Sequence, residues 1–310
     1  MLSKELLEEL ILNTNNRTGI RNDILEKDYY VCLILKDLST KQDKLQTYFK
    51  GGTAIYKILG HMNRFSEDID LTVKVNENQS NNSNRTRLKN SALGYKIPGL
   101  ELNKDETIDK KGSITSFYKY ESLFSMNELF KSEKIQIEST SFTVSEPIST
   151  YTIEPLIYKY ALDNEKKILK EEYNISEFNI ETIKLERIFI DKVFATEFYY
   201  ERNMYEDVSK HLYDISIMIK NDDVKEMLKN KQELNKLISY KRKEEKARIG
   251  GIASNKKIKD FNYMKLEFND ELINAFTRMQ RIYVLDDESL LTIDEVKNTI
   301  KILLEIFKQV

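Results

Sequence analysis

Apolar residues recur at helical spacing from the start of the chain, at Leu6, Leu7, Leu10 and Ile11, and the run DYYVCLILKDL continues in the same period. Both stretches predict helices. Farther along the period becomes two: Ile69, Leu71, Val73 and Val75 alternate with Asp70, Thr72 and Lys74, and Ile135 and Ile137 with Gln136 and Glu138. Such alternation predicts strands with one apolar face. Between Pro155 and Gly250 there is neither glycine nor proline, and Lys, Glu, Leu and Ile abound, which predicts helices joined by short polar turns. The expected fold class is α+β: a mixed sheet with helices over residues 1–150, then a mainly helical part over residues 151–310. NQSNNSN, residues 78–84, reads as a polar loop.

At 310 residues and 40% hydrophobic, the chain can bury one large core or two modest ones. Lys and Arg total 49 against 51 Asp and Glu, so the net charge of −2 gives no overall attraction for nucleic acid, and any basic footprint must be local. The single cysteine, Cys32, lies within VCLIL and reads as a small buried hydrophobe. The opening MLSKELLEELILN mixes acids with its leucines, and no later segment approaches the about 18 uncharged apolar residues of a membrane span. A cytoplasmic protein without a membrane partner is expected.

Candidate chemistry concentrates in GGTAIYKILGHMNRFSEDID, residues 51–70. A strand starting near Asp68 turns Asp68 and Asp70 to one face, with Cβ atoms roughly 7 Å apart, a spacing at which two carboxylates can share a divalent cation. Without a cation they repel each other. An isolated Asp-x-Asp is more often an exposed strand edge whose acids merely face water, so context decides. Gly51, Gly52 and Thr53 follow Tyr48 and Phe49 and open a helical stretch: glycines admit a phosphate to the backbone, free amides at a helix start attract anions, and the Thr53 hydroxyl adds a donor. Arg64 is placed to contact phosphate, to brace Asp68 or to make a plain surface ion pair, and Ser66 beside it is a further nucleotide-binding candidate. His61 reads as a helix-end residue.

FKGGTAIYKILGHMNRFSEDIDL resembles the signature of the AbiEii/AbiGii toxin family, nucleotidyltransferases of type IV toxin–antitoxin systems within the polymerase-β-like superfamily, and EKDYYVCLIL resembles that family's N-terminal helix. The superfamily pattern is Gly-Ser, then Asp-x-Asp, then a third acid on a later strand; here Gly-Thr stands in the first place. The resemblance implies transfer of a nucleoside monophosphate from an NTP to an acceptor hydroxyl with Mg²⁺ (or Mn²⁺), held by Asp68, Asp70 and a third acid, for which Glu138 is the choice and Glu133 the neighbour on a similar segment. KLERIFIDKVFATEFYYERNMYEDVSKHLYDISIM resembles the family's helical motifs, whose functional lysine and aspartate match Lys192 and Asp214. Lys192 also lies on the stripe of Leu185, Ile188, Phe189 and Thr196, where a lysine needs a partner or a ligand. His211 and Arg202 are supporting candidates.

The resemblance further implies a growth-arresting toxin countered by a separately encoded antitoxin, with tRNA ends as the acceptor of some relatives. It also implies an active centre that extends from the glycine turn to the helical half. Residues 241–259, KRKEEKARIGGIASNKKIK, hold eight Lys or Arg and two Glu and are the candidate RNA-contacting segment, with Tyr240 and Gly250–Gly251 nearby. The same metal site fits transfer to a protein or small molecule, and a nucleotide-binding interaction protein without catalysis is the remaining alternative.

Overall fold

The computed structural model describes residues 3–61, 63–124, 133–248, 250–265 and 267–309. The chain folds into two compact units, Met1–Thr182 and Ile183–Val310.

The first unit is built on a mixed sheet of β1 (Thr47–Lys50), β2 (Ile69–Val73), β3 (Glu101–Leu102), β4 (Ile108–Lys110), β5 (Ser113–Lys119), β6 (Lys134–Thr140), β7 (Ile148–Ile153) and β8 (Phe178–Ile183). The strand order is β3-β5-β6-β2-β1-β8-β7, with β4 paired to β5. β1 and β2 run antiparallel, β2 and β6 parallel, β5 and β6 antiparallel, and β8 joins β1 in parallel. Around the sheet lie α1 (Lys4–Thr18), α2 (Asn22–Ser39), α3 (Gln42–Leu45), α4 (Gly51–Leu59), α5 (Asn81–Leu93), α6 (Leu156–Lys159) and α7 (Asp163–Glu172). The alternating strands behave as their pattern requires: Ile69, Leu71, Val73, Ile135 and Ile137 are buried, and Val73 packs with Leu88 and Ala92 of α5 and Ile114 of β5. Burial removes this apolar face from water, the dominant favourable contribution to folding. Val75 lies beyond β2 and is 48% exposed.

The second unit contains α8 (Leu185–Tyr200), α9 (Tyr205–Met218), α10 (Asp222–Lys229), α11 (Lys231–Ala247), α12 (Asp270–Tyr283) and α13 (Ile293–Phe307). No described helix is long and apolar enough to cross a membrane.

Three expectations change. The units divide after Thr182 and not near residue 150, because β7 and β8 are strands of the first unit's sheet. β8 also interrupts the glycine- and proline-free stretch, since absence of helix breakers does not exclude a strand. The polar run at residues 78–84 is loop only to Ser80, whose hydroxyl accepts from the Ser83 amide at 3.1 Å and starts α5. Cys32 is wholly buried, as its apolar neighbours predict, and burial pushes its thiol up to about 12.

Candidate active site

The sheet's register brings distant residues into line. Lys50 of β1 pairs with Asp70 of β2, Asp70 with Glu138 of β6, and Glu138 with Thr115 of β5. Side chains at paired positions of adjacent strands project to the same face, so Lys50, Asp70, Glu138 and Thr115 form one polar row. The next row on that face is Tyr48, Thr72, Thr140 and Ser113. Its two threonine hydroxyls are already engaged: Thr72 Oγ1 lies 2.6 Å from Thr143 Oγ1 and 2.9 Å from Ser145 Oγ, and Thr140 Oγ1 lies 3.0 Å from Thr143 Oγ1. Asp68 directly precedes β2 and is exposed, and the strand's period of two, carried one residue back, would set it on Asp70's face. Lys50 and Thr115 are not evident in the sequence, because only the register aligns them with Asp70 and Glu138.

Gly51 begins α4 with φ +85°, and a Cβ placed there would lie 1.9 Å from Asp70 Oδ2 and 2.6 Å from Asp70 Cγ. The glycine is therefore required by the carboxylate seated against its Cα, an additional reason beside the phosphate approach that the sequence suggests. The helix begins at Gly51 itself, so Asp70 lies beside the positive end of α4. Gly52 and Thr53 are buried in the first turn. The Thr53 hydroxyl donates to the Asp68 carbonyl at 2.5 Å and lies 3.1 Å from Ser66 Oγ, fastening the chain ahead of β2 to the helix.

Arg64 is buried. Its Nη1 donates to the Phe65 carbonyl at 3.1 Å, and its guanidinium lies 5.2 Å from the Tyr56 ring centroid. A surface ion pair is therefore not its setting. His61 is exposed directly after Gly60, the left-handed cap of α4, as a helix-end residue should be. Glu133 is exposed ahead of β6 and outside the polar row; its carbonyl accepts from the Tyr120 amide.

In the second unit, Lys192 of α8 and Asp214 of α9 form an ion pair at 2.9 Å, with the Asp214 side chain wholly buried and that of Lys192 nearly so. His211 Nδ1 lies 3.3 Å from Lys192 Nζ, and its ring lies 5.3 Å from that of Tyr199. The partner that Lys192 needs on an apolar stripe is thus Asp214. Arg202 lies elsewhere, over the Phe198 ring and donating to the Phe198 and Gly250 carbonyls.

The segment 241–259, in which Ile249 lies outside the described residues, is less available than its charge count suggests. Lys241 pairs with Glu244 at 3.3 Å and Glu245 at 3.1 Å, and Lys256 with Glu197 at 2.5 Å and Glu201 at 2.7 Å. Arg242 donates to the Ala253 and Lys256 carbonyls and lies over Phe194, and Arg248 lies over Phe198. Lys243, Lys246 and Lys257 are exposed.

Residues 33–291 match the family model described as nucleotidyl transferase AbiEii toxin, type IV TA system. The chain belongs to the AbiEii family. The match spans both units, from within α2 to beyond α12, and so takes in the glycine-led helix, the acidic strand and the Lys192–Asp214 pair. No curated protein sequence matches the chain. Membership makes this AbiEii chain one of a family of nucleotidyl transferase toxins, for which an NTP is the implied substrate.

Among the described residues no three His, Cys, Asp or Glu side chains already close on a common point. The AbiEii chain nevertheless offers a fitting donor set for a hard divalent cation. Carboxylates alone supply it, Asp70 and Glu138 are register partners on one face, and Asp70 is cradled where only glycine fits.

Proposed function

We propose that this AbiEii-family chain transfers a nucleoside monophosphate from an NTP to an acceptor hydroxyl, with Asp68, Asp70 and Glu138 as the carboxylates that hold Mg²⁺ (or Mn²⁺). The observation that carries this reading is the placement of Asp70: in register with Glu138 and against the Cα of the glycine that starts α4. Such an ion, when bound, neutralises phosphate charge and stabilises the attacking and leaving oxygens.

The chain's own residues bind and orient. Gly51 lets the Asp70 carboxylate stand beside the amides of Gly52 and Thr53, so acid and phosphate-attracting helix start are neighbours. Thr53 holds the Asp68 backbone in place, Ser66 supports that contact, and Arg64 stiffens the intervening loop from within. Lys192 is the proposed cation for the triphosphate, oriented by its ion pair with Asp214. The proposed acceptor is RNA, such as a tRNA end, approached by Lys243, Lys246 and Lys257, and the proposed physiological counterpart is a separately encoded antitoxin.

The test incubates purified protein with each labelled NTP, Mg²⁺ and total RNA, beside Asp70→Asn. RNA labelled by the wild type and not by Asp70→Asn is the expected result. Equal labelling by both proteins overturns the metal assignment, label on protein or small molecules replaces the RNA acceptor, and NTP binding without pyrophosphate release leaves a binding protein.

A further inference from the structure

Three consecutive charged residues of α2, Glu26, Lys27 and Asp28, are only 1%, 3% and 3% exposed. Successive residues of an α-helix point about 100° apart, and each of these holds a different segment. The Glu26 carboxylate accepts from Ser122 Oγ at 2.7 Å and from the Leu123 amide at 2.8 Å. Asp28 pairs with Lys57 of α4 and accepts from the Leu156 amide at 2.8 Å. Lys27 pairs with Glu67, the residue immediately before Asp68.

Charges at these depths are poorly explained by stability. Taking two ions out of water costs about what their attraction returns, and apolar residues of the same volume commonly do as well or better. A buried ion pair does fix which two segments meet and at what distance. The described residues between Gly60 and Ile69 belong to no helix or strand, yet this chain must still deliver Asp68 and Asp70 to one face. It is fastened on both sides of the peptide that joins Glu67 to Asp68: the Asp68 carbonyl to Thr53 of α4, and the Glu67 side chain to Lys27 of α2.

We propose that Lys27, acting through Glu67, is a positioning residue for the Asp68 and Asp70 carboxylates, fixing how the chain runs into β2. Successive side chains of extended chain point to opposite sides, so drawing Glu67 toward α2 turns Asp68 the other way. The inference rests on the reading that these two aspartates hold a divalent cation.

Mn²⁺ binding to the full chain, followed by paramagnetic resonance, tests it without reference to turnover. Loss of partners that orient metal ligands weakens metal binding by roughly 10–100-fold, and Glu67→Gln is expected to weaken it by about tenfold or more. The Mg²⁺ concentration for half-maximal transfer should rise in parallel, while the rate at saturating Mg²⁺ stays within about threefold. The double variant Lys27→Met/Glu67→Leu leaves no uncompensated buried charge and is expected to keep the wild-type melting temperature within a few degrees, yet to lose Mn²⁺ affinity to the same extent. It provides the measurement if Glu67→Gln does not fold. Wild-type Mn²⁺ affinity in the folded variants, with Asp70→Asn still abolishing binding, overturns the positioning role and leaves the metal site standing. Mn²⁺ binding by Asp70→Asn equal to wild type overturns the metal reading and the inference together.

Discussion

Gly51→Ala probes the point at which the helix start and the acid meet. Two costs are separable there. A non-glycine residue at positive φ costs about 1–2 kcal/mol, and Gly51 sits at φ +85°. The second cost is steric: the new methyl would lie 1.9 Å from Asp70 Oδ2, against roughly 3.3 Å or more for an unstrained carbon–oxygen contact. The carboxylate must therefore retreat by more than about 1 Å, a displacement that costs on the order of 10²-fold in rate when it befalls a reacting group. Gly60→Ala supplies the control, because Gly60 has φ +66° with nothing within 4 Å of a built Cβ. Thermal unfolding and NMP transfer from a labelled NTP are measured for both. Each variant is expected to melt a few degrees lower, with Gly51→Ala down about a hundredfold in transfer and Gly60→Ala close to wild type. Equal activity of the two variants, whether both high or both low, refutes the argument that Gly51 serves the seat of Asp70.

Two further predictions concern buried charge. Asp214→Ala strands Lys192 without its carboxylate and is expected to cost about 3–5 kcal/mol in chemical unfolding, whereas Lys192→Met/Asp214→Leu should recover most of that stability and no transfer activity; recovered transfer by the double variant counts against a role for Lys192 at the nucleotide. Burial holds the Glu26 carboxyl above its ordinary 4.5, against the lowering effect of the Ser122 and Leu123 donors. The folded chain therefore binds this proton more readily than the unfolded chain, and the associated stability is full below pH 4.5 and lost as pH rises through the folded value. Glu26→Gln is thus expected to melt higher than wild type at neutral pH, by about 2 °C, with the advantage vanishing below that window; a pH-independent difference contradicts the assignment.

The strands nearest the acids are legible because their alternation is strict: β2 and β6 bury every second residue where the pattern says they should. The pairing of Asp70 with Glu138 is reachable from sequence only as a guess, since no local pattern states which strands adjoin. α5 is hidden because NNSNRTRLKNSAL offers almost no apolar stripe, and its buried face is made of Arg87, Leu88, Ser91 and Ala92. β8 is masked by neighbouring helices of similar composition. EKD escapes notice for the opposite reason: a run of charges reads as surface, and the clue to its burial is the apolar YYVCLIL that follows on the same helix. The basic segment misleads in the same way, since counting charges does not reveal that Lys241 and Lys256 are spent on Glu244, Glu245, Glu197 and Glu201.

The parallel pairing of β2 with β6 has a consequence for when the chain becomes dangerous to its own host. Antiparallel neighbours joined by a tight turn form early, but β6 reaches β2 only after α5 and three further strands have been made, so the alignment is a long-range event. A nascent chain that has emerged only as far as β5 carries Asp68 and Asp70 without Glu138. On the proposed reading a truncated or half-translated toxin is therefore harmless, and chemical competence arrives late, as a property of the closed sheet and not of any contiguous stretch of sequence.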